Sequence, residues 1–292
     1  MIRARSHEVV RTKGGALALR DVATGEVMHP GVGPRAEAEA LYVRQSGLAE
    51  RLAEAAGAAS AARVVVFDVG LGAGSNAVAA WAASERAPAA AARLELVSFE
   101  RDLDALALAL EHGSAFAFEG ASATAARALL AHGRHETART NWRLVRGDIV
   151  DALDRETARA DIVFWDPFSP RVNPELWTIA AFRAARARAA DAGTLFTYSA
   201  STAVRLALLL AGWTVGVGDA VGDKRATTAA AVRAGDLARP LDRPWLARLE
   251  RPDVPLPPDL PPETRRDLAR VAGALPQFAV APPPAATRSE RS

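Results

Sequence analysis

The chain has no cysteine. Disulfides, thiolate metal sites and a cysteine nucleophile are thereby excluded, and the absence suits a reducing compartment. Lysine is nearly missing too: Lys13 and Lys224 are the only two among basic positions that are otherwise arginine. With 36 basic against 34 acidic residues, the formal net charge is +2. Nucleic-acid binders ordinarily concentrate basic charge on one face, and this balance marks no such face. Beside so much alanine, the arginine preference reads as compositional bias before it reads as a phosphate grip. No apolar run reaches the length of a membrane span. The opening MIRARSHEVVRTKGG has no apolar stretch of the kind a signal peptide needs, so the expected location is the cytoplasm. There is no Gly-x-Ser-x-Gly elbow and no Walker loop. His132 and His135 lie three apart, but no acids or cysteines around them complete a ligand set, and no metal is expected.

What is present is a large apolar fraction, 50% of 292 residues, enough for one sizeable core with an appendage. Residues 1–59 read as a lead-in. Strand-like pieces ALALRDV and EVMHPGVG come first, then a helical pattern from Arg35 to Ala59 with Ala38, Leu41, Tyr42, Leu48 and Leu52 on one stripe and a break at Gly47. From 60 to 234 strands and helices alternate. The run ARVVVFDVG is apolar throughout, as a strand buried on both faces must be. ARLELVSFE, NWRLVRGD, ADIVFWD, AGTLFTYS, WTVGVGDA and RATTAAAV follow as further strands, with helical patterns between all but the last two. The region from Ser122 to Ala138 reads as one long helix. Parallel strands need helical crossovers, so this order predicts a mostly parallel, doubly wound α/β sheet of seven strands with helices on both faces. The short link before the seventh strand predicts a C-terminal antiparallel hairpin. Residues 235–292 turn to proline and arginine: an extended segment, one short helix and, from about 278, a disordered tail.

Four strands end on carboxylates or lead into glycines, and these carry the chemistry. In FDVGLGAGSN, Gly70, Gly72 and Gly74 permit a tight turn and close approach of a ligand to the backbone, between a strand and a helix. Asp68 precedes them. Glu100 ends the second strand, where an acid can accept from both hydroxyls of a ribose. Asp148 follows the third and serves equally well as an acceptor for an adenine amino group or as the N-cap of the helix IVDAL. Asp166 ends the fourth, at the carboxyl edge where such sheets bind ligands, and Pro167 and Phe168 follow it. A carboxylate, backbone carbonyls fixed by proline and an aromatic ring make a receptor for a planar group bearing an amine. Asn173, Pro174 and Glu175 form a helix start, Asn173 as cap. Trp177 reads as core.

The stretch DPFSPRVNPELW resembles the Asp-x-Phe-x-Pro-x-x-Asn-Pro-Glu-x-Trp signature of the MnmC-like methyltransferase family. DVGLGAGSN is similar to that family's acid-x-Gly-x-Gly-x-Gly-x-Asn loop, with Asp68 where Glu is common. LVSFERD resembles its second strand, GTLFTYSASTAVRLALLLAGWTV its penultimate segment, and VGDKRATTAA its terminal hairpin. The likeness covers about residues 62–232, and MHPGVGPRAEAEALYV fits more loosely. It implies a Rossmann-like class I fold with S-adenosyl-L-methionine as cofactor, and methylation of the amine of 5-aminomethyl-(2-thio)uridine at the wobble position of tRNA. By that resemblance Asp68, the glycines and Asn76 hold the methionine part, Glu100 the ribose and Asp148 the adenine. Asp166, Pro167 and Phe168 face the amine, with Asp166 orienting it and taking or relaying its proton. His29 and Glu37 are candidates for the pocket wall. Two departures stand out. The family's bifunctional members continue into a FAD-dependent oxidase domain, whereas about sixty residues follow here. The expectation is a stand-alone form that relies on a separate oxidoreductase or upstream modification enzyme. The lysines expected for tRNA are also missing, leaving Arg171, Arg183, Arg205, Lys224 and Arg225 for phosphate contacts. Other readings of the same residues are the same fold acting on another amine, an NAD-dependent oxidoreductase, and a non-catalytic methyltransferase-like subunit.

Overall fold

The computed structural model describes residues 5–12, 14–28, 33–55, 62–116, 118–220 and 226–279. His29, Lys224, Arg225 and the tail beyond 279 lie outside the described residues.

The lead-in opens with an antiparallel pair, β1 (His7–Arg11) and β2 (Leu17–Asp21). The sequence pattern misses β1, whose charged ends hide the Val9–Val10 centre. EVMHPGVG, expected as a strand, contributes only a bridge from Val27 to Arg20 among its described residues. A short helix α1 (Pro34–Glu37) widens into a π-helical run (Ala38–Arg44), and α2 (Leu48–Ala55) follows the break at Gly47. π-Helical turns are rare and tend to sit at functional sites.

The main sheet is built from β3 (Arg63–Val69), β4 (Arg93–Glu100), β5 (Arg134–Glu136), β6 (Thr140–Arg146), β7 (Ala160–Trp165), β8 (Ala189–Thr197), β9 (Thr214–Gly218) and β10 (Thr227–Ala231). Its order is β5-β6-β4-β3-β7-β8-β10-β9. β6, β4, β3, β7 and β8 are parallel; β10 runs antiparallel to β8 and β9, giving the expected terminal hairpin. The count of seven is corrected to eight among the described residues. After α5 (Gly120–His132) ends on Gly133 in the left-handed conformation, the chain turns back as β5 and pairs antiparallel to β6. Three residues with two charges carry no period-two signal. The connections are α3 (Ser75–Arg86), α4 (Asp104–Glu111), α6 (Ile149–Arg155), α7 (Ile179–Ala187) and α8 (Thr202–Leu210). A 3-10 turn, Pro174–Trp177, precedes α7.

Alternation along β3 sets the layers. Val64 and Val66 face one core, with Tyr42, Leu96 and Phe164; Val65, Phe67 and Val69 face the other, with Trp165, Phe182 and Trp213. The second core also takes up the C-terminal segment, whose Trp245, Leu249, Leu268, Ala272 and Phe278 are buried. Phe278, placed by the sequence pattern at the start of a disordered tail, is 2% exposed. Gln277 reaches the sheet edge and bonds the backbone N–H and C=O of Val215 at 2.7 Å each. The strand order reverses about β3, whose parallel neighbours are β4 and β7, and this crevice is where ligands bind in doubly wound sheets. Among the described residues no helix is long and apolar enough to cross a membrane.

Candidate active site

A cavity of about 560 Å³ opens at the carboxyl ends of the parallel strands. Gly70, Gly72, Asn76, Glu100, Asp148, Asp166, Pro167 and Phe168 all line it. Glu37 lines it too, 6% exposed at the end of α1.

The glycine loop and the Asp-Pro-Phe stretch are packed against each other. Gly70 sits at φ +87°, and a Cβ there would lie 2.9 Å from the Pro167 Cα and N. Only glycine permits both the left-handed backbone and that approach. Glu100 binds the same loop: its carboxylate accepts from the N–H of Gly72 at 3.0 Å and, through the other oxygen, from Arg101 and Asp102. Asp148 caps α6, accepting from Val150 and Asp151, while it remains exposed on the cavity wall.

Asp166 is held from two sides. The Tyr42 hydroxyl donates to its Oδ1 at 2.7 Å, and Asn76 Nδ2 donates to its Oδ2 at 2.6 Å. Asn76 thus serves the carboxylate directly. Tyr42 comes from the π-helical run, its ring 5.1 Å from that of Phe164, two residues before Asp166. The carbonyls that proline was expected to aim at a ligand are taken up internally: Pro167 O accepts from the Tyr198 hydroxyl at 3.2 Å, and Phe168 O from Trp177 Nε1 at 2.7 Å. Trp177 is core, as its pattern indicates. Asn173 makes no side-chain cap bond, contrary to expectation. One face of the Phe168 ring is covered by His7, with ring centres 6.0 Å apart and planes within 11°. The neighbouring Ser169 gives both its N–H and its hydroxyl to Glu26, at 2.7 and 2.5 Å.

Asp68 and Gly74 lie behind the cavity and are not part of its wall. Asp68 shares the face of Val64 and Val66, is 0% exposed, and sits opposite Ser98 in the register of β3 and β4. Its Oδ2 accepts from the Ser98 hydroxyl at 2.8 Å, and its Oδ1 has no partner among the described residues. Burial, reinforced by the charges of Asp166 and Glu100, pushes its pKa up to about 7. At Gly74 a Cβ would meet Leu106 at 3.0 Å and Phe118 at 3.2 Å, so this glycine serves packing at the start of α3. Burial, then the charge of Asp166, raises the pKa of both Tyr42 and Tyr198. Both phenols therefore stay protonated near neutral pH and act as donors.

Tyr42, Tyr198, Glu26 and His7 are the site residues that sequence reading passed over. The one signal was Tyr42 itself, since a tyrosine on an apolar stripe needs a partner for its hydroxyl. Of the arginines expected to meet phosphate, Arg205 is buried and bonds Thr228 Oγ1 and the Thr227 carbonyl, and Arg171 lies 3.6 Å from Glu26. His132 is exposed and His135 lies near the Trp81 ring.

A switch-point cavity, a glycine loop between strand and helix, and acids closing successive strands define a nucleotide-cofactor enzyme of the methyltransferase class. Residues 119–233 match the family described as S-adenosyl-L-methionine-dependent methyltransferase. Within the class its likeness is to MnmC proteins. The tRNA 5-methylaminomethyl-2-thiouridine biosynthesis bifunctional protein MnmC of Ectopseudomonas mendocina is 35% identical over 105 residues, 36% of this chain and 16% of that protein. Its counterpart in Paraburkholderia phymatum is 41% identical over 91 residues, 31% of this chain and 14% of that protein. The aligned stretch thus spans about a sixth of the length of these curated relatives. Among solved structures, MNMC2 from Aquifex aeolicus superposes with a TM-score of 0.64 at 23% identity, covering 93% of this chain and 84% of that one. Spermidine synthase from Thermotoga maritima superposes with a TM-score of 0.51 at 11% identity, covering 95% and 83%. At these identities the likeness is one of fold.

Proposed function

We propose that this methyltransferase acts on an amine, and that the amine is that of 5-aminomethyl-(2-thio)uridine at the tRNA wobble position. The observation that carries the reading is Asp166: a carboxylate at the end of β7, fixed by Tyr42 and Asn76, on a loop packed directly against the glycine loop. S-adenosylmethionine supplies a methyl group on a sulfonium, and the residues present fit that group. The backbone of Gly70 and Gly72 and the carboxylates of Glu100 and Asp148 share one cavity, offering close approach for the methionine part and acceptors for hydroxyl and amino donors. Asp68 supports this loop from behind the wall. Asp166 accepts an N–H of the amine and directs its nitrogen at the methyl carbon, so that orientation is fixed before reaction. Pro167 fixes the loop, and the Phe168 ring, on the cavity wall, is offered to the base that carries the amine. On this reading the enzyme works in the cytoplasm, and a separate upstream enzyme must install the amine.

The test is methyl transfer from labelled S-adenosylmethionine to tRNA bearing unmethylated aminomethyl-uridine, read by nucleoside mass spectrometry. Appearance of the methylaminomethyl nucleoside supports donor, acceptor and reaction together; its absence with cofactor bound rejects this acceptor. A second reading, a small free amine as acceptor, is favoured by the charge of the wall. Among the described residues eight carboxylates line the cavity against one guanidinium, that of Arg101, which suits a cation better than an RNA phosphate. Labelled methyl appearing on a free diamine offered in the same assay, with tRNA unmodified, decides for it.

A further inference from the structure

We propose that Arg101 and Arg171 hold the two phosphates of the RNA strand that flank the target nucleotide, a role that rests on the tRNA reading above. Charge is what calls for them. Among the described residues the cavity wall carries eight carboxylates and one guanidinium, that of Arg101. Such a wall attracts the amine but repels the phosphates on either side of it. The phosphates have to stop at the mouth, and there they need positive charge. Exposure shows where the mouth lies. Asn76 and Glu37 are 3% and 6% exposed, whereas the Arg101 side chain is 62% exposed. Arg171, between the lining residues Ser169 and Val172, is 65% exposed.

Both arginines meet the loop that presents Asp166. Residues 166–177 form this acceptor loop. Arg171 stands on it, its Nη2 3.6 Å from Glu26 Oε2 and 3.4 Å from the Thr24 carbonyl oxygen. Glu26 in turn accepts the N–H and hydroxyl of Ser169. Arg101 comes from the opposite wall. Its backbone N–H donates to Glu100, the acid that closes β4, and its Nη1 lies 3.7 Å from Glu175 Oε1. One guanidinium therefore reaches the loop at Ser169, through Glu26, and the other at Glu175.

Neither ion pair is close. At 3.6 and 3.7 Å the nitrogen and oxygen stand beyond direct hydrogen-bond length. Arg20 with Glu8 at 2.6 Å and Arg93 with Glu136 at 2.9 Å show what this chain makes where a pair is direct. Loose, exposed pairs contribute little to stability. A phosphate, by contrast, takes two parallel N–H bonds from one guanidinium fork. An incoming phosphate displaces the glutamate, and Glu26 and Glu175 are where the two guanidiniums rest between substrates. The nucleotide between the phosphates is splayed from its strand, as single-stranded RNA is generally read. Its base meets Phe168 and its amine meets Asp166.

The experiment compares two acceptors on the whole chain: tRNA bearing unmethylated aminomethyl-uridine, and the free aminomethyl-uridine nucleoside, which has no phosphate. kcat/KM is measured for each between about 50 and 200 mM salt. Arg101→Ala and Arg171→Ala each lower the ratio of tRNA to nucleoside kcat/KM about tenfold. Each flattens the log–log salt slope for tRNA by about 0.7, and the double variant by about 1.4. Glu175→Gln frees Arg101 and moves the ratio the other way, up about threefold. A pair that only braced the loop would make Arg101→Ala and Glu175→Gln lose activity alike. With tRNA methylated by the wild type, equal losses in those two variants, an unchanged salt slope, or a loss shared equally by tRNA and nucleoside overturns this proposal alone. Methylation of the nucleoside but not of tRNA overturns the tRNA reading and this proposal, and leaves the amine reading standing. No product from either acceptor overturns all three.

Discussion

At Asp68 a carboxyl group is held between two strands with a single donor, Ser98, and a pKa near 7. An unfolded aspartate ionises near 4. Between those values the folded state keeps a proton that the unfolded state has released, so stability falls as pH rises from about 4 to about 7 and is flat above. Three units correspond to about 4 kcal/mol. Urea unfolding at pH 5 and pH 8 brackets about two of those units, so a loss of about 3 kcal/mol is expected in the wild type, with most of it removed in Asp68→Asn. A second residue-scale expectation concerns the Tyr42 hydroxyl. Tyr42→Phe deletes one of the two donors that fix Asp166. We expect a fall of about tenfold in kcat with little change in cofactor affinity, since the carboxylate is still present but no longer aimed. Steady-state kinetics beside a cofactor titration check it.

The elements bear different shares of the site. The glycine loop, the acids at the ends of β4 and β7 and the cap of α6 were legible in the sequence, because a strand buried on both faces is a largely apolar run and the acid that closes it marks the carboxyl edge. What the sequence hid comes from the lead-in. Tyr42 lies 124 residues from Asp166, and Glu26 lies 143 from Ser169, so no local pattern joins them. β1 and β5 were hidden for a related reason: strands this short with charged ends carry too few alternations to register. Asp68 was legible as an acid but not as a buried one, because the register that sets it against Ser98 is a property of the paired strands. The β1–β2 lead-in reaches the acceptor loop through Glu26 on Ser169 and His7 on Phe168. Glu26→Ala removes two hydrogen bonds, both charge-assisted by the carboxylate, and should cost about 2 kcal/mol. It should also raise KM for the acceptor more than KM for the cofactor, and varying each substrate separately distinguishes the two.

On the scale of the whole molecule, the second core is closed by the segment after the last strand. Trp245, Leu249, Leu268 and Phe278 are buried in it, and Gln277 clasps the backbone of β9. A chain ending at residue 233 would leave that apolar face in water. We expect it to aggregate on expression, and Trp245→Ala in the full chain to lower stability by about 3 kcal/mol in thermal unfolding.

The contact between Gly70 and Pro167 has a further consequence. At 2.9 Å from a would-be Cβ, donor loop and acceptor loop leave each other no slack, and a close-packed interior does not stretch. On the amine-methylation reading, the gap between a bound cofactor's methyl group and the attacking nitrogen would thus be a fixed gauge cut into the fold. An acceptor whose amine stands one carbon further out meets the gauge at the wrong length, and neither loop can yield alone to correct it.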